Sequence, residues 1–312
     1  MKRIWLIFFT TLAFASCGKG MNMNFPVETK VPSPLETVQR LAALNQQAAV
    51  PPLTDLSGYP PEIRRILQRD SIIFGMTAAD QKPFFYRDEE TGTLIGLDVE
   101  IGYEIANRLG VRAVFNRDAA SFDDVVLNVA NKKVDVALSK LSRTLRRGEL
   151  VRFTRPYITF RQALLINRLE LAKVIPEENL PLYMKQFRGI LAIIDNSSYL
   201  GYAESNFPLA EKKAYNTWQE CIDALFAGEV LAAYRDEGEI LIITETRKDS
   251  GIMMKPVLIS DKQDPIAMAV SHDAPHLQEW LNTFLEDYIL QNGSELTPAR
   301  LVKRHYARSD EK

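Results

Sequence analysis

Between Asp135 and Arg147 the chain reads D-V-A-L-S-K-L-S-R-T-L-R-R, and its polar members fall where a small anion could be held. Val134, Val136, Ala137 and Leu138 suit a buried strand, Ser139, Lys140 and Ser142 follow in a short loop, and Thr144 suits the N-cap of a helical turn. Free backbone N–H groups at a helix start, serine hydroxyls and the Arg147 guanidinium in the first turn together make a receptor for a carboxylate. An ordinary strand-loop-helix connection with solvated arginines fits the same residues. Lys140 reads first as a solvated rim residue, with a ligand contact as the alternative.

Other expected strand ends carry polar residues of the same kind. Ala78–Phe85 contains Gln81 and Phe84, Asp195–Ser198 places Ser197 and Ser198 at another helix start, and Asp236 follows the strand expected at Val230–Ala233. Asp236 also suits the N-cap of the next helix. Open α/β sheets bind ligands at the carboxyl ends of parallel strands, so one cleft could collect all of these. A zwitterion entering it loses hydration at both ends, and only paired partners of opposite sign offset that loss. Arg147 and Asp236 have the required signs.

The elements that must position these residues follow a βα rhythm. Strands are expected at Ser71–Gly75, Val111–Phe115, Val134–Leu138 and Ile158–Ile166, with helices at Asp98–Leu109, stopped by Gly110, and at Phe122–Asn131, capped by Ser121. After a break at Pro176–Pro181 the rhythm restarts, with strands at Gly189–Ile194 and Val230–Ala233. Helices are expected at Ser198–Asn206, from the capping box Thr217-x-x-Glu220 to Ala227, and at Asp236–Arg247. A strand at Ile266–Val270 and helices at Ala274–Gln291 and Ser294–Tyr306 complete the chain. Such alternation implies mainly parallel sheets with helices on both faces.

The start of the chain speaks to compartment. Lys2 and Arg3 precede an apolar run, Ile4–Phe14, that is short for a bilayer span and is followed by small residues before Cys17, the pattern of an export leader over 1–16. Prolines punctuate the next stretch to about Pro61, which reads as a tether carrying amphipathic helices at Pro34–Ala49 and Pro61–Arg69. Of the two cysteines, Cys221 lies within a helical pattern and reads as a small buried hydrophobe, so no disulfide framework is expected. With 38 Lys and Arg against 40 Asp and Glu, the balance is mildly acidic and argues against a nucleic-acid partner. His272, His276 and His305 do not have the spacing of a helical metal pair, no phosphate loop or nucleophile elbow is present, and no cofactor or metal is expected.

Four stretches in order carry a family resemblance: P-F-F-Y-R-D-E-E-T-G-T-L-I-G-L-D-V-E-I-G-Y-E-I-A-N-R-L-G, K-V-D-V-A-L-S-K-L-S-R-T-L-R-R, F-T-R-P-Y-I-T-F-R-Q-A-L-L-I and A-Y-R-D-E. From about Asp70 to Tyr306 the chain resembles family 3 of the extracytoplasmic solute-binding proteins that serve ABC importers of polar amino acids. Its N-terminus resembles a lipoprotein signal peptide cleaved before a lipid-modified Cys17. The resemblance implies a two-lobed periplasmic-binding-protein fold of type II, each lobe a mainly parallel sheet flanked by helices, with the ligand cleft between the lobes. The corresponding division is a leader at 1–16, a lipid-anchored tether with short helices at 17–69, lobe one at 70–168 plus 263–306, lobe two at 169–262 and a tail at 307–312. Crossovers between lobes would fall near Ile166–Leu171 and Ile259–Asp264.

Carried over by the resemblance, the ligand α-carboxylate meets Arg147, Ser142 and the Ser197–Ser198 helix start, Asp236 takes the α-ammonium, Ser139 adds a hydrogen bond, and Phe122 packs on one face. Gln81, near Phe84, stands where many relatives have an aromatic residue, and Lys140 where they have a small one. The implied protein is an exported monomer, periplasmic or cell-surface and lipid-anchored at Cys17, that passes an amino acid or related carboxylated solute to an ABC permease in the membrane. An enzyme resembling the cyclohexadienyl dehydratases, with Glu237 as acid, and a ligand-sensing partner of a membrane receptor are the alternatives.

Overall fold

The computed structural model describes residues 32–47, 55–175 and 180–306. The expected leader at 1–16, Cys17, Pro176 and the tail at 307–312 lie outside these residues. Helices α1 (Pro34–Gln47) and α2 (Pro61–Arg69) come first. They are not part of a free tether: Val38, Ile63 and Ile66 are buried in the core of lobe one. The Asn45 amide donates to the Asn107 side chain (2.9 Å) and the Val111 carbonyl (2.8 Å), and accepts from the Ala113 N–H. An apolar helical stripe stays docked once a complementary surface covers it.

Lobe one continues through β1 (Ser71–Thr77), β2 (Tyr86–Arg87), β3 (Leu94–Ile95), α3 (Leu97–Leu109), β4 (Arg112–Ala119), α4 (Phe122–Ala130), β5 (Val136–Ala137) and α5 (Leu145–Gly148). The long strand β6 (Val151–Asn167) leads into lobe two, made of α6 (Arg168–Val174), α7 (Leu180–Met184), β7 (Ile190–Ile194), α8 (Ser198–Asn206), β8 (Glu211–Tyr215), α9 (Trp218–Phe226), β9 (Ala232–Asp236), α10 (Glu237–Thr246) and α11 (Ser250–Met253). Strand β10 (Met254–Ser271) returns to lobe one, which closes with α12 (Pro275–Asn292) and α13 (Pro298–Tyr306).

The strands run in the order β4-β1-β5-β10-β6-β9-β7-β8. Pairing is parallel at β4, β1 and β5 and again at β9, β7 and β8, while β10 and β6 are antiparallel to each other and to their outer neighbours. Both faces of the sheet are covered, and the period of two shows it. Leu191 and Ile193 of β7 enter one core, whereas Ala192 and Ile194 enter another that contains Cys221. In β1, Ile72, Phe74 and Met76 enter the main core of lobe one, and Ile73 packs against the opposite cluster around Val125 and Val129.

The register of β6 with β10 locates the hinge. Ile259 pairs with Gln162, but the next pair is Gln263 with Arg161, so three β10 residues have no counterpart. Beyond that point Ala163–Ile166 pair with β9 and pack in the cores of lobe two. The first crossover therefore lies at Arg161–Gln162, ahead of Ile166–Leu171, because these four residues already belong to the second lobe. Strand β10 is also far longer than Ile266–Val270: its first half alternates buried or half-buried with exposed residues, and only its last part is continuously buried. Edge strand β8, E-K-K-A-Y, is largely polar and carries no apolar pattern to announce it.

Candidate functional site

The chain leaving β5 enters the space between the lobes. Ser139 is fully buried and its Oγ accepts from the Thr77 N–H (3.1 Å), tying β5 to β1 rather than facing a ligand. Lys140 stands in the left-handed region at φ 47°, with its N–H donating to Asp98 Oδ2 (2.7 Å). The other oxygen of Asp98 accepts from the Tyr157 hydroxyl (2.7 Å). Burial pushes the Asp98 carboxyl up to about 7 against the effect of these hydrogen bonds.

Thr144 caps α5 as its sequence suggests, its Oγ1 accepting from the Arg147 N–H (3.3 Å). The Arg147 guanidinium, 6% exposed, points Nε and Nη2 at one oxygen of Asp123 (3.0 and 2.9 Å), and Nη1 donates to the Ser142 carbonyl (3.1 Å). Across the cleft, Ser198 Oγ donates to Ser142 Oγ (2.9 Å), a direct hydrogen bond from α8 of lobe two to the loop of lobe one. Ser197 Oγ donates instead to the Ile194 carbonyl (2.7 Å). Asp264, on β10 beside the hinge, accepts from the Tyr199 and Tyr202 hydroxyls (3.1 and 3.3 Å). Its own burial, and then the neighbouring Asp236 carboxylate, raise its proton affinity.

A second cluster holds buried charges in pairs. Asp236 ends β9 and caps α10 through the Glu239 N–H (3.1 Å). Lys140 Nζ lies 3.0 Å from Asp236 Oδ2 and 2.6 Å from Glu239 Oε1, with the Phe84 and Phe160 rings 5.2 and 5.5 Å away. Arg235 adds a second cation, its Nε 3.6 Å from Asp236 and its Nη2 3.8 Å from Glu239. Burial opposes ionisation of Asp236, yet the Lys140 ammonium and Arg235 guanidinium outweigh it and hold the carboxyl below its ordinary value. The Arg235 guanidinium lies 6.0 Å from the Phe122 ring and 5.6 Å from Trp218, and its Nη2 donates to Gln81 (3.2 Å).

Lys140, Ser142, Arg147, Ser198, Arg235 and Asp236 converge on one small cavity, together with Phe122, Ser197, Tyr199 and Asp264. Its volume is about 10 Å³, room for a single water, so its walls meet at this point. A wider cleft of about 760 Å³ opens beside it, bordered by Gln81, Phe122, Asp123, Asn196, Trp218 and Glu239. Seven of the ten residues singled out from sequence thus line the cavity. Ser139 does not, Gln81 lies in the wider cleft, and Phe84 is buried beneath Lys140. Sequence reasoning passes over Arg235, Glu239, Tyr199, Asp123 and Asp264, although Arg235 directly precedes Asp236. Glu237, the candidate acid of the enzyme alternative, is turned onto Arg161 at the hinge: its carboxylate accepts from the Arg161 N–H (2.8 Å) and guanidinium (2.8 and 2.6 Å). Among the described residues no cluster of His, Cys, Asp and Glu could hold a metal ion, and no helix is long and apolar enough to cross a membrane.

Residues 73–294 match the family model of the bacterial extracellular solute-binding proteins, family 3. Over 121 residues the chain is 31% identical to a cyclohexadienyl dehydratase of Pseudomonas aeruginosa, covering 39% of this chain and 42% of that one. Over 172 residues it is 24% identical to an arginine-binding periplasmic protein of Mannheimia haemolytica, covering 54% and 65%. The match thus spans less than two thirds of the length of either relative. Among solved structures, an amino acid ABC transporter substrate-binding protein of Streptococcus pneumoniae bound to L-arginine shares the fold with a TM-score of 0.63 at 22% identity, covering 80% of this chain and 99% of that one. A binding component of an ABC transporter of Wolinella succinogenes complexed with lysine gives a TM-score of 0.63 at 23% identity, with coverage of 78% and 98%.

Proposed function

The chain belongs to family 3 of the bacterial extracellular solute-binding proteins, and from that premise we propose that it captures an amino acid or related carboxylated small solute between its lobes and delivers it to an ABC permease. In this reading the protein works outside the cytoplasm, anchored by lipid on Cys17. The observation that carries it is the state of Arg147. Its nearly buried guanidinium already holds a carboxylate, that of Asp123, through two nitrogens, while the Asp123 side chain is 43% exposed. A carboxylate arriving with a ligand can take the place of this rim group and add the Ser142 and Ser198 hydroxyls, and the Ser198–Ser142 hydrogen bond across that point supports this reading. The site is thus suited to closing over an anion.

The test is a thermal-shift screen of amino acids, dicarboxylates and polyamines, followed by calorimetry. A ligand at 100 times its Kd adds about 2.7 kcal/mol to stability. Arg147→Ala should weaken the best ligand at least tenfold, since loss of one partner of a desolvated charge pair costs about 2 to 5 kcal/mol. Unchanged affinity in Arg147→Ala would refute the carboxylate site. The dehydratase alternative predicts consumption of prephenate or arogenate. The engagement of Glu237 by Arg161 weighs against it, and incubation should return both compounds intact.

A further inference from the structure

We propose that the Lys140 ammonium permanently fills the subsite made by Asp236 and Glu239, so that the cleft takes a solute with two anionic groups and no amino group, such as a small dicarboxylate, held by Arg147 and Arg235. The proposal rests on the reading of Arg147 as a carboxylate receptor and narrows its ligand class.

An alkylammonium leaving water needs carboxylates at hydrogen-bond distance and walls that do not compete for water. The Asp236–Glu239 pair supplies this: the Lys140 ammonium donates to Glu239 Oε1 (2.6 Å) and forms an ion pair with Asp236 Oδ2 (3.0 Å), with the Phe84 and Phe160 rings beside it. The ammonium it holds is the protein's own. Lys140 has a side chain only 4% exposed, and the Asp98 hydrogen bond to its N–H holds its backbone in the left-handed conformation. A ligand ammonium would therefore approach a carboxylate pair already shared by Lys140 and Arg235 and would meet two buried cations. Asp264, the remaining carboxyl on the cavity, is occupied by the Tyr199 and Tyr202 hydroxyls.

Among the described residues, two buried polar atoms of the cavity lack a hydrogen-bond partner: Asp236 Oδ2, which Lys140 nonetheless neutralises as an ion pair at 3.0 Å, and one nitrogen of Arg235. Arg235 is 3% exposed, lines the same cavity as Arg147, and its Nη1 is buried without a hydrogen-bond partner. An unmet buried guanidinium N–H carries a desolvation cost that an incoming carboxylate oxygen removes. Arg147 binds one anionic group of the solute and Arg235 the other.

The experiment compares pairs that differ only in the amino group, succinate with L-aspartate and glutarate with L-glutamate, plus L-arginine, by calorimetry on the protein as exported. The wild type should bind a diacid at least tenfold more tightly than its amino counterpart. Lys140→Gly suits the left-handed backbone and vacates the pair; it should shift that preference at least tenfold toward the amino acid, and propylammonium should raise its Tm but not that of the wild type. If Lys140→Gly does not fold, Lys140→Gln, which keeps reach without charge, must weaken the diacid at least tenfold. Equal or tighter wild-type binding of an amino acid, abolished by Asp236→Asn, overturns the inference and leaves the Arg147 site standing. Binding that ignores Arg147→Ala overturns the site itself. If the wild type takes none of the five compounds, the propylammonium shift decides: a rise confined to Lys140→Gly supports the filled subsite, and no rise overturns it.

Discussion

Replacing Asp98 with asparagine removes a buried carboxyl from beneath the site while keeping its shape. Burial holds this group at about 7, against an ordinary value of 3.8, although Tyr157 and the Lys140 N–H both donate to it. The folded protein therefore keeps a proton here that the unfolded chain releases, and in that interval stability falls as pH rises. The contribution is fully present below pH 3.8 and is lost as pH climbs through about 7. Because one pKa unit corresponds to 1.36 kcal/mol, the loss between about pH 4 and pH 8 amounts to roughly 4 kcal/mol. Other carboxylates titrate in the same range, so the quantity to measure is the difference between wild type and Asp98→Asn in urea unfolding at a series of pH values. Asparagine has no proton to lose, and the wild-type advantage should shrink by about 4 kcal/mol over that span. A difference that stays flat with pH would refute the assignment of burial as the dominant influence on Asp98.

Further outcomes follow from the packing and from the start of the chain. Ile66→Ala should cost about 2 to 5 kcal/mol in urea unfolding, because α2 is docked in the core of lobe one and its Ile66 is fully buried; a loss under about 1 kcal/mol would restore the free tether. Gly96→Ala should cost at least about 2 kcal/mol, since Gly96 has φ 123° and a Cβ there would lie 2.3 Å from the Phe84 carbonyl oxygen; it should also disturb the Phe84 wall of the Lys140 subsite, which near-wild-type stability and ligand preference would contradict. Metabolic labelling with a fatty-acid analogue should mark the wild type and not Cys17→Ser, and equal labelling of both would remove the lipid anchor from the proposal.

Local patterns in the chain were enough for the fold class and for part of the lining of the candidate cavity. The Thr144 cap, the Thr217–Glu220 capping box and the Gly110 helix stop each depend on neighbours within a few residues, and each stands in the structure as its spacing implies. The βα alternation likewise determines two covered sheet faces, because a strand buried on both sides needs apolar residues at consecutive positions. For the same reason the loop after β5, the start of α8 and Asp236 could be identified before any contact was known. What tertiary structure alone decided is which of these groups are already in use. Ser139 is consumed by Thr77, Arg147 by Asp123 and Asp236 by a lysine 96 positions away in the chain. The long strands β6 and β10 and the docking of α1 and α2 belong to the same category, since their registers and surfaces are set by partners distant in sequence. A local window reports what a side chain can bind; the closing of the chain on itself determines what it does bind, because a buried charge takes whichever opposite charge the packing brings within a few ångströms.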